Sequence, residues 1–296
     1  MEVDGGKGRK IQIVYFPPYP ISLRSSCRSM KFSFGTVQPT SGQASSKIDV
    51  YKMERSPHGT ALIINNEQFL EHDKREGTAI DERNLTHLFR YLDYKVEVHR
   101  NLDSGEMWSV MEEMGQRNHG EYDSFVCCIL SHGSEGHVFG TDSVMVSLND
   151  LTGMVDAQRC PSLVGKPKLF FLQACRGKMK EVSHRVGTDS DMPRQRPMVA
   201  TDVGVRVGTD GDTHIPTTAD FFFGYATPHG HVAWRDFDHG SWYVSELCRS
   251  LCEYSTHVSL SDMMTQVSSR VGREHEHLSF RMAPETQSRL QKNVYF

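Results

Sequence analysis

With 296 residues and a formal net charge of −4, the chain can bury a large core and has no basic excess to suit nucleic acid or an anionic membrane. Its 24% charged and 38% hydrophobic residues are ordinary for a soluble globular protein, and no apolar run approaches the ~20 residues of a membrane helix. Seven irregularly spaced cysteines without a secretory signal point to a reducing, cytoplasmic setting rather than a disulfide framework.

Residues 1–49 are rich in Gly, Ser, Pro and Lys/Arg and read as a short flexible leader. "TALIIN", from Thr60, predicts a buried strand. "IDERNLTHLFRYLDY" predicts a helix with Leu85, Leu88, Phe89 and Leu92 on one face. "KVEVH" alternates as a strand does, and "SGEMWSVMEEMGQRN" returns to helical spacing through Met107, Val110, Met111 and Met114. "SFVCCIL" and "KLFFLQA" are continuous apolar runs of strand length. Strands alternating with helices predict an α/β fold, a mostly parallel sheet with helices on both faces.

Residues 178 to about 214 lose all hydrophobic period and are dense in Gly, Asp, Thr and Arg. A loop of that length is usually functional or disordered. It contains a small repeat, "RVGTDSD" from Arg185 and "RVGTDGD" from Arg206. Beyond it, "DFFFGYA" reads as a buried strand, "SWYVSELCRSLCEY" and "SLSDMMTQVSSRV" as helices, and "NVYF" as a closing strand. One sheet interrupted by a cuttable linker fits this order better than two independent domains.

The chemistry centres on "FFLQACRGK". Cys127, Cys128, Cys248 and Cys252 lie inside apolar patterns and read as buried packing residues. Cys175 instead ends a strand, with Arg176 and Gly177 following where the strand would have continued. The carboxyl ends of parallel strands are where open α/β sheets place active sites. His132, in "CILSHGSEGH", ends another strand and is the candidate base for a nucleophilic thiol. Gly133, lacking a side chain, lets its N–H approach a developing oxyanion. "HGH" at His229 and "HEH" at His275 have no cysteine or carboxylate set at zinc spacing beside them and read as loop histidines, so no metal or cofactor is expected.

"QACRG" resembles the caspase nucleophile signature. The similarity continues through "IINNEQF", "REGTAIDERNLTHLFRYLDY", "CCILSHG", "KPKLFFLQACRG", "TADFFFGYATPHGHVAWRDFDHGSWYVSELC" and "LQKNVYF", in family order, from about Tyr51 to Phe296. The resemblance implies a cysteine endopeptidase of apoptosis that cuts after aspartate. It casts Cys175 as nucleophile, His132 as general acid/base, and the N–H groups of Gly133 and Cys175 as oxyanion donors. Arg75, Gln173 and Arg235 match the pocket that grips the substrate aspartate, a donor set well suited to a carboxylate. Val232 and Trp234 match the neighbouring substrate pockets.

Three departures stand out. Ala79 occupies a position often acidic in the family, Val232 replaces an aromatic of the executioner enzymes, and the segment after Phe280 is shorter than in typical executioners. The resemblance further implies a short-prodomain zymogen: prodomain 1–49, large subunit 50–189, linker 190–210 and small subunit 211–296. It implies six strands, a sheet extended by homodimerisation, protein substrates with exposed Asp-containing loops, and activation by itself or by an upstream protease.

The linker carries three similar tetrapeptides, "VGTD" ending at Asp189, "VATD" at Asp202 and "VGTD" at Asp210. They suggest self-cleavage with a Val-x-Thr-Asp preference, although Trp234 on its own would favour an acidic fourth residue. Two rivals stand beside this reading. A catalytically inactive homologue acting as scaffold or decoy would have no need of Cys175, His132, Arg75, Gln173 and Arg235 together. A related protease cutting after basic residues would need an acidic first pocket.

Overall fold

The computed structural model describes residues 49–182, 216–274 and 280–296. Most of the leader and all three linker aspartates, Asp189, Asp202 and Asp210, lie outside the described residues, as does His275.

Four continuous apolar runs become fully buried strands: β1 (Gly59–Asn65), β3 (Ser124–Leu130), β4 (Lys168–Gln173) and β5 (Phe221–Tyr225). Burial on both faces is why they show no polar alternation. With the half-exposed β2 (Tyr94–Arg100) and β6 (Glu285–Ser288) they form one six-stranded sheet, ordered β6-β5-β4-β3-β1-β2. All neighbouring pairs are parallel except β5 and β6. The strands before and after the linker, β4 and β5, are hydrogen-bonded neighbours, so a single sheet spans it.

Strand alternation sorts the core into two layers. Ala61, Ile63, Val126, Cys128, Leu169, Phe171 and Phe222 face one side. They pack under α1 (Thr78–Tyr91), α4 (Trp242–Tyr254) and α5 (Leu260–Glu274), the first through Leu85, Leu88 and Phe89. Leu62, Ile64, Phe125, Cys127, Phe170 and Leu172 face the other side, under α2 (Ser104–Gln116) and α3 (Leu148–Gly153). Helix α2 starts with a reciprocal cap in which Asp103 accepts from the Glu106 N–H and the Glu106 carboxylate accepts from the Asp103 N–H.

One expectation fails. "NVYF" is not the closing strand: Asn293 makes only an isolated bridge to Val50, and Val294 is buried in the core beside α5. The edge strand is the polar "ETQS" of β6, whose last three residues are exposed. Cys127, Cys128 and Cys248 are buried as expected, while Cys252 is half-buried against the same core. No helix among the described residues is long and apolar enough to cross a membrane.

Candidate active site

Strand register levels the two candidate residues, Cys175 and His132, on adjacent strands. Leu130 of β3 pairs with Gln173 of β4, and the Ser131 N–H donates to the Gln173 carbonyl at 3.2 Å. His132 and Cys175 are each two residues beyond that pair, so both leave the sheet at the same level on adjacent strands. Gly133 tightens the approach: a Cβ there would sit 2.8 Å from the Cys175 carbonyl and 3.0 Å from Ala174 Cβ. A larger residue would push the histidine strand away from the cysteine strand.

Cys175 is half-buried, and its sulfur accepts the Ala233 N–H at 3.4 Å. Among the described residues its own N–H makes no backbone hydrogen bond. An amide left free beside a nucleophile is what an oxyanion site requires. Arg176 anchors the turn that follows. Its guanidinium donates to Glu285 at 2.6 Å and to the Thr227 carbonyl at 3.3 Å, and lies 4.0 Å from the Tyr225 ring centroid. The thiol is thereby tied to β5 and β6.

His132 is oriented by Phe69, His72 and Asp73, loop residues to which the sequence assigned no role. Its Nε2 lies 2.7 Å from the Asp73 carbonyl, an acceptor that fixes the ring when that nitrogen carries the proton. The Phe69 ring meets it edge-on at 4.7 Å and the His72 ring stacks on it at 5.3 Å. His72 is steadied in turn by Ser143 Oγ at 3.0 Å from Nδ1. Burial pulls the His132 pKa down; the Asp73 carbonyl opposes this, and Arg75, His72 and Arg235 add to it, leaving the imidazole below its ordinary value.

The two arginines converge from different parts of the chain. Arg75 Nη1 donates to the Asn66 carbonyl and to Thr78 Oγ1, both at 2.9 Å, and Thr78 passes the chain on to Asn65 at the end of β1. Its Nη2 is buried with no partner among the described residues. Arg235 Nε donates to the Glu76 carbonyl at 2.6 Å, which places its guanidinium beside Arg75. Burial, followed by the charge of Arg235, pulls the Arg75 pKa down to about 9, so the group remains cationic at neutral pH. Gln173 is buried and its Oε1 is likewise unpartnered. The two guanidiniums make a cationic site with one open donor, Arg75 Nη2, and among the described residues neither is in an ion pair, although the Asp81 and Glu67 charges lie near enough to act on both.

Asp81, also outside the sequence reading, supports this pocket. Its carboxylate accepts from the Ser241 N–H at 2.7 Å and from the Ser241 hydroxyl. That contact ties α1 to the ribbon of Arg235–Asp236 and Gly240–Ser241. Burial raises the Asp81 pKa despite those hydrogen bonds and the nearby arginines. Ala79 is exposed in the first turn of α1 and contributes nothing to the pocket.

Val232 and Trp234 lie on the segment leading to Arg235. The Val232 N–H donates to the Met179 carbonyl at 2.9 Å, the Trp234 N–H meets Met282 Sδ at 3.2 Å, and the Trp234 ring stacks on Trp242 at 6.4 Å. Both are half-buried beside the pocket. His229 Nε2 lies 2.5 Å from Glu135 Oε1, an exposed contact.

The family model for the caspase domain matches residues 58–295. The chain is similar to caspase-3 of Bos taurus, 34% identical over 258 residues that cover 83% of this chain and 87% of that protein. It is similar to caspase-3 of Mus musculus, also 34% over 258 residues, covering 83% and 86%. Caspase-10 of Homo sapiens is 36% identical over 203 residues, covering 68% of this chain and 37% of that protein.

Proposed function

The chain belongs to the caspase family of apoptotic cysteine proteases, and on that premise we propose that it is an active endopeptidase cutting after aspartate. The observation that carries this reading is Arg75 Nη2, buried and unpartnered beside a second guanidinium. A desolvated cation with a vacant donor suits a substrate carboxylate and rejects a neutral isostere. Cys175 serves as nucleophile, His132 takes and returns the proton, and the N–H groups of Gly133 and Cys175 hold the oxyanion. The scissile carbonyl becomes a thioester as the amine leaves with a proton from His132, and water then hydrolyses that ester. No metal or cofactor takes part.

We read the protein as a cytoplasmic zymogen with a prodomain at 1–49, a large subunit at 50–189, a linker at 190–210 and a small subunit at 211–296. Cutting after Asp189, Asp202 or Asp210, by itself or by an upstream protease, would separate the subunits. Two units would pair along the exposed edge of β6 into a homodimer whose substrates are proteins with accessible aspartyl loops. The experiment is to express the chain beside its Cys175→Ala variant. Fragments from the linker in the first and an intact chain in the second are expected. If both stay intact and neither cuts aspartyl peptides after nicking with an added protease, the reading is lost.

Preference at the fourth position follows the linker, Val-x-Thr-Asp. Half-buried Val232 leaves room for a β-branched threonine. Asp236 disfavours an acidic fourth residue: burial raises its pKa, but the N–H groups of Asp238 and His239 and the His239 ring outweigh this and keep the carboxylate ionised. A positional-scanning library should select Val over Asp at that position; strong selection for Asp would overturn the preference.

The depressed His132 pKa sets the acid limit of catalysis. A base with lowered pKa stays neutral further into acid, so kcat/KM should hold through mildly acidic pH and fall with a midpoint below ~6.5. A midpoint above that value would count against His132 as the base.

A further inference from the structure

Phe237 is 66% exposed and joins neither core layer, yet the backbone around it is fixed. It follows the strand Arg235–Asp236 directly. Gly77, at φ 83, lets the loop approach so closely that a Cβ there would lie 3.0 Å from the Phe237 carbonyl. Asp236 Oδ1 accepts from the Asp238 and His239 N–H groups at 2.8 and 2.9 Å, locking the turn. An apolar ring held open to solvent beside a substrate pocket calls for an occupant.

The register of the segment says which substrate residue reaches it. The Ala233 N–H points at the Cys175 thiol, whereas those of Val232 and Trp234 turn away to Met179 and Met282. With a backbone period of two, Ala233 and Arg235 face the thiol side, and Phe237 opens the turn directly after Asp236. Arg235–Asp236 is paired on one edge, by Gly240–Ser241, and among the described residues its other edge has no strand. An extended substrate added antiparallel there puts its aspartate beside Ala233 and its third residue back beside Arg235, and its fifth residue then runs out past the turn that the exposed Phe237 opens.

Building on the proposed aspartate specificity, we propose that Phe237 forms a subsite for the fifth residue before the cut bond and takes a basic side chain, the linker's own arginines being its first occupants. The pentapeptides "RVGTD" ending at Asp189 and Asp210 place Arg185 and Arg206 there, and "MVATD" places Met198. A guanidinium stacks on a phenyl face as a cation, and a thioether does so more weakly through its polarisable sulfur. Asp236 and Asp238, the residues before and after Phe237 in the chain, add negative charge to the same turn, which suits a cation over an anion there.

The test uses the processed full-length protein and fluorogenic peptides X-Val-Gly-Thr-Asp with X as Arg, Met, Ala or Glu. Wild type should show kcat/KM falling in that order, with Arg over Ala by about two- to five-fold, equivalent to about 0.5–1 kcal/mol. The Arg:Ala ratio should collapse to about one in Phe237→Ala and persist in Phe237→Tyr, which keeps the ring. A wild-type ratio of one, or a ratio unchanged in Phe237→Ala, overturns the subsite while leaving the aspartyl protease intact. Failure of wild type to cut any of the four peptides removes the protease reading and the subsite with it.

Discussion

Cys175→Ala and His132→Ala will each abolish cleavage of aspartyl peptides and leave the protein folded. Both residues are half-buried where their strands leave the sheet, so truncation removes little core volume. Cys175 loses only a weak 3.4 Å contact with the Ala233 N–H. His132 loses its stack on His72 and its contact with the Asp73 carbonyl, both outside the two core layers. Residues acting as one nucleophile–base unit do not lose activity piecemeal, and each deletion should cost ~10³-fold or more in kcat/KM. Single-turnover kinetics beside a thermal melt would measure both halves of this expectation. A variant that kept a tenth of wild-type activity would remove that residue from its assigned role.

The second large effect is on aspartate selectivity. Arg235→Ala leaves the substrate carboxylate desolvated with one guanidinium instead of two, a loss of roughly 2–5 kcal/mol in transition-state binding. The signature is a collapse of kcat/KM for Asp peptides with a much smaller change for Asn peptides. Arg75→Ala should do the same, but Arg75 also bridges the Asn66 carbonyl and Thr78, so part of its cost will appear as stability. Arg235 is half-buried and, among the described residues, its side chain is held by the Glu76 carbonyl alone, which makes it the cleaner probe. An Arg235→Ala enzyme that still preferred Asp over Asn as strongly as wild type would put the pocket elsewhere.

These expectations rest on two kinds of information. Much of the fold was legible in the chain because its central strands are buried on both faces. "TALIIN", "SFVCCIL", "KLFFLQA" and "DFFFGYA" are therefore unbroken apolar runs, and the spacing of Leu85, Leu88 and Phe89 shows a helix with one buried face. Cys175 and His132 were legible as polar residues interrupting such runs at strand ends, and the pocket arginines only through family resemblance.

What stayed hidden carries no pattern of its own. Strand β6 is polar because it is an edge strand with exposed side chains, so "ETQS" resembles a loop, while the apolar "NVYF" is drawn into the core beside α5 instead of the sheet. The acceptor for His132 is the Asp73 carbonyl, a backbone atom that every residue has, and only the path of the 69–75 loop aims it at the imidazole. The chain by itself determined which residue types could react and which strands would be buried. Tertiary structure alone decided that β3 and β4 pair in the register that levels His132 with Cys175, and that two arginines 160 positions apart share a pocket with one donor still open. Register and long-range convergence depend on packing between segments, and no local pattern along a chain encodes them.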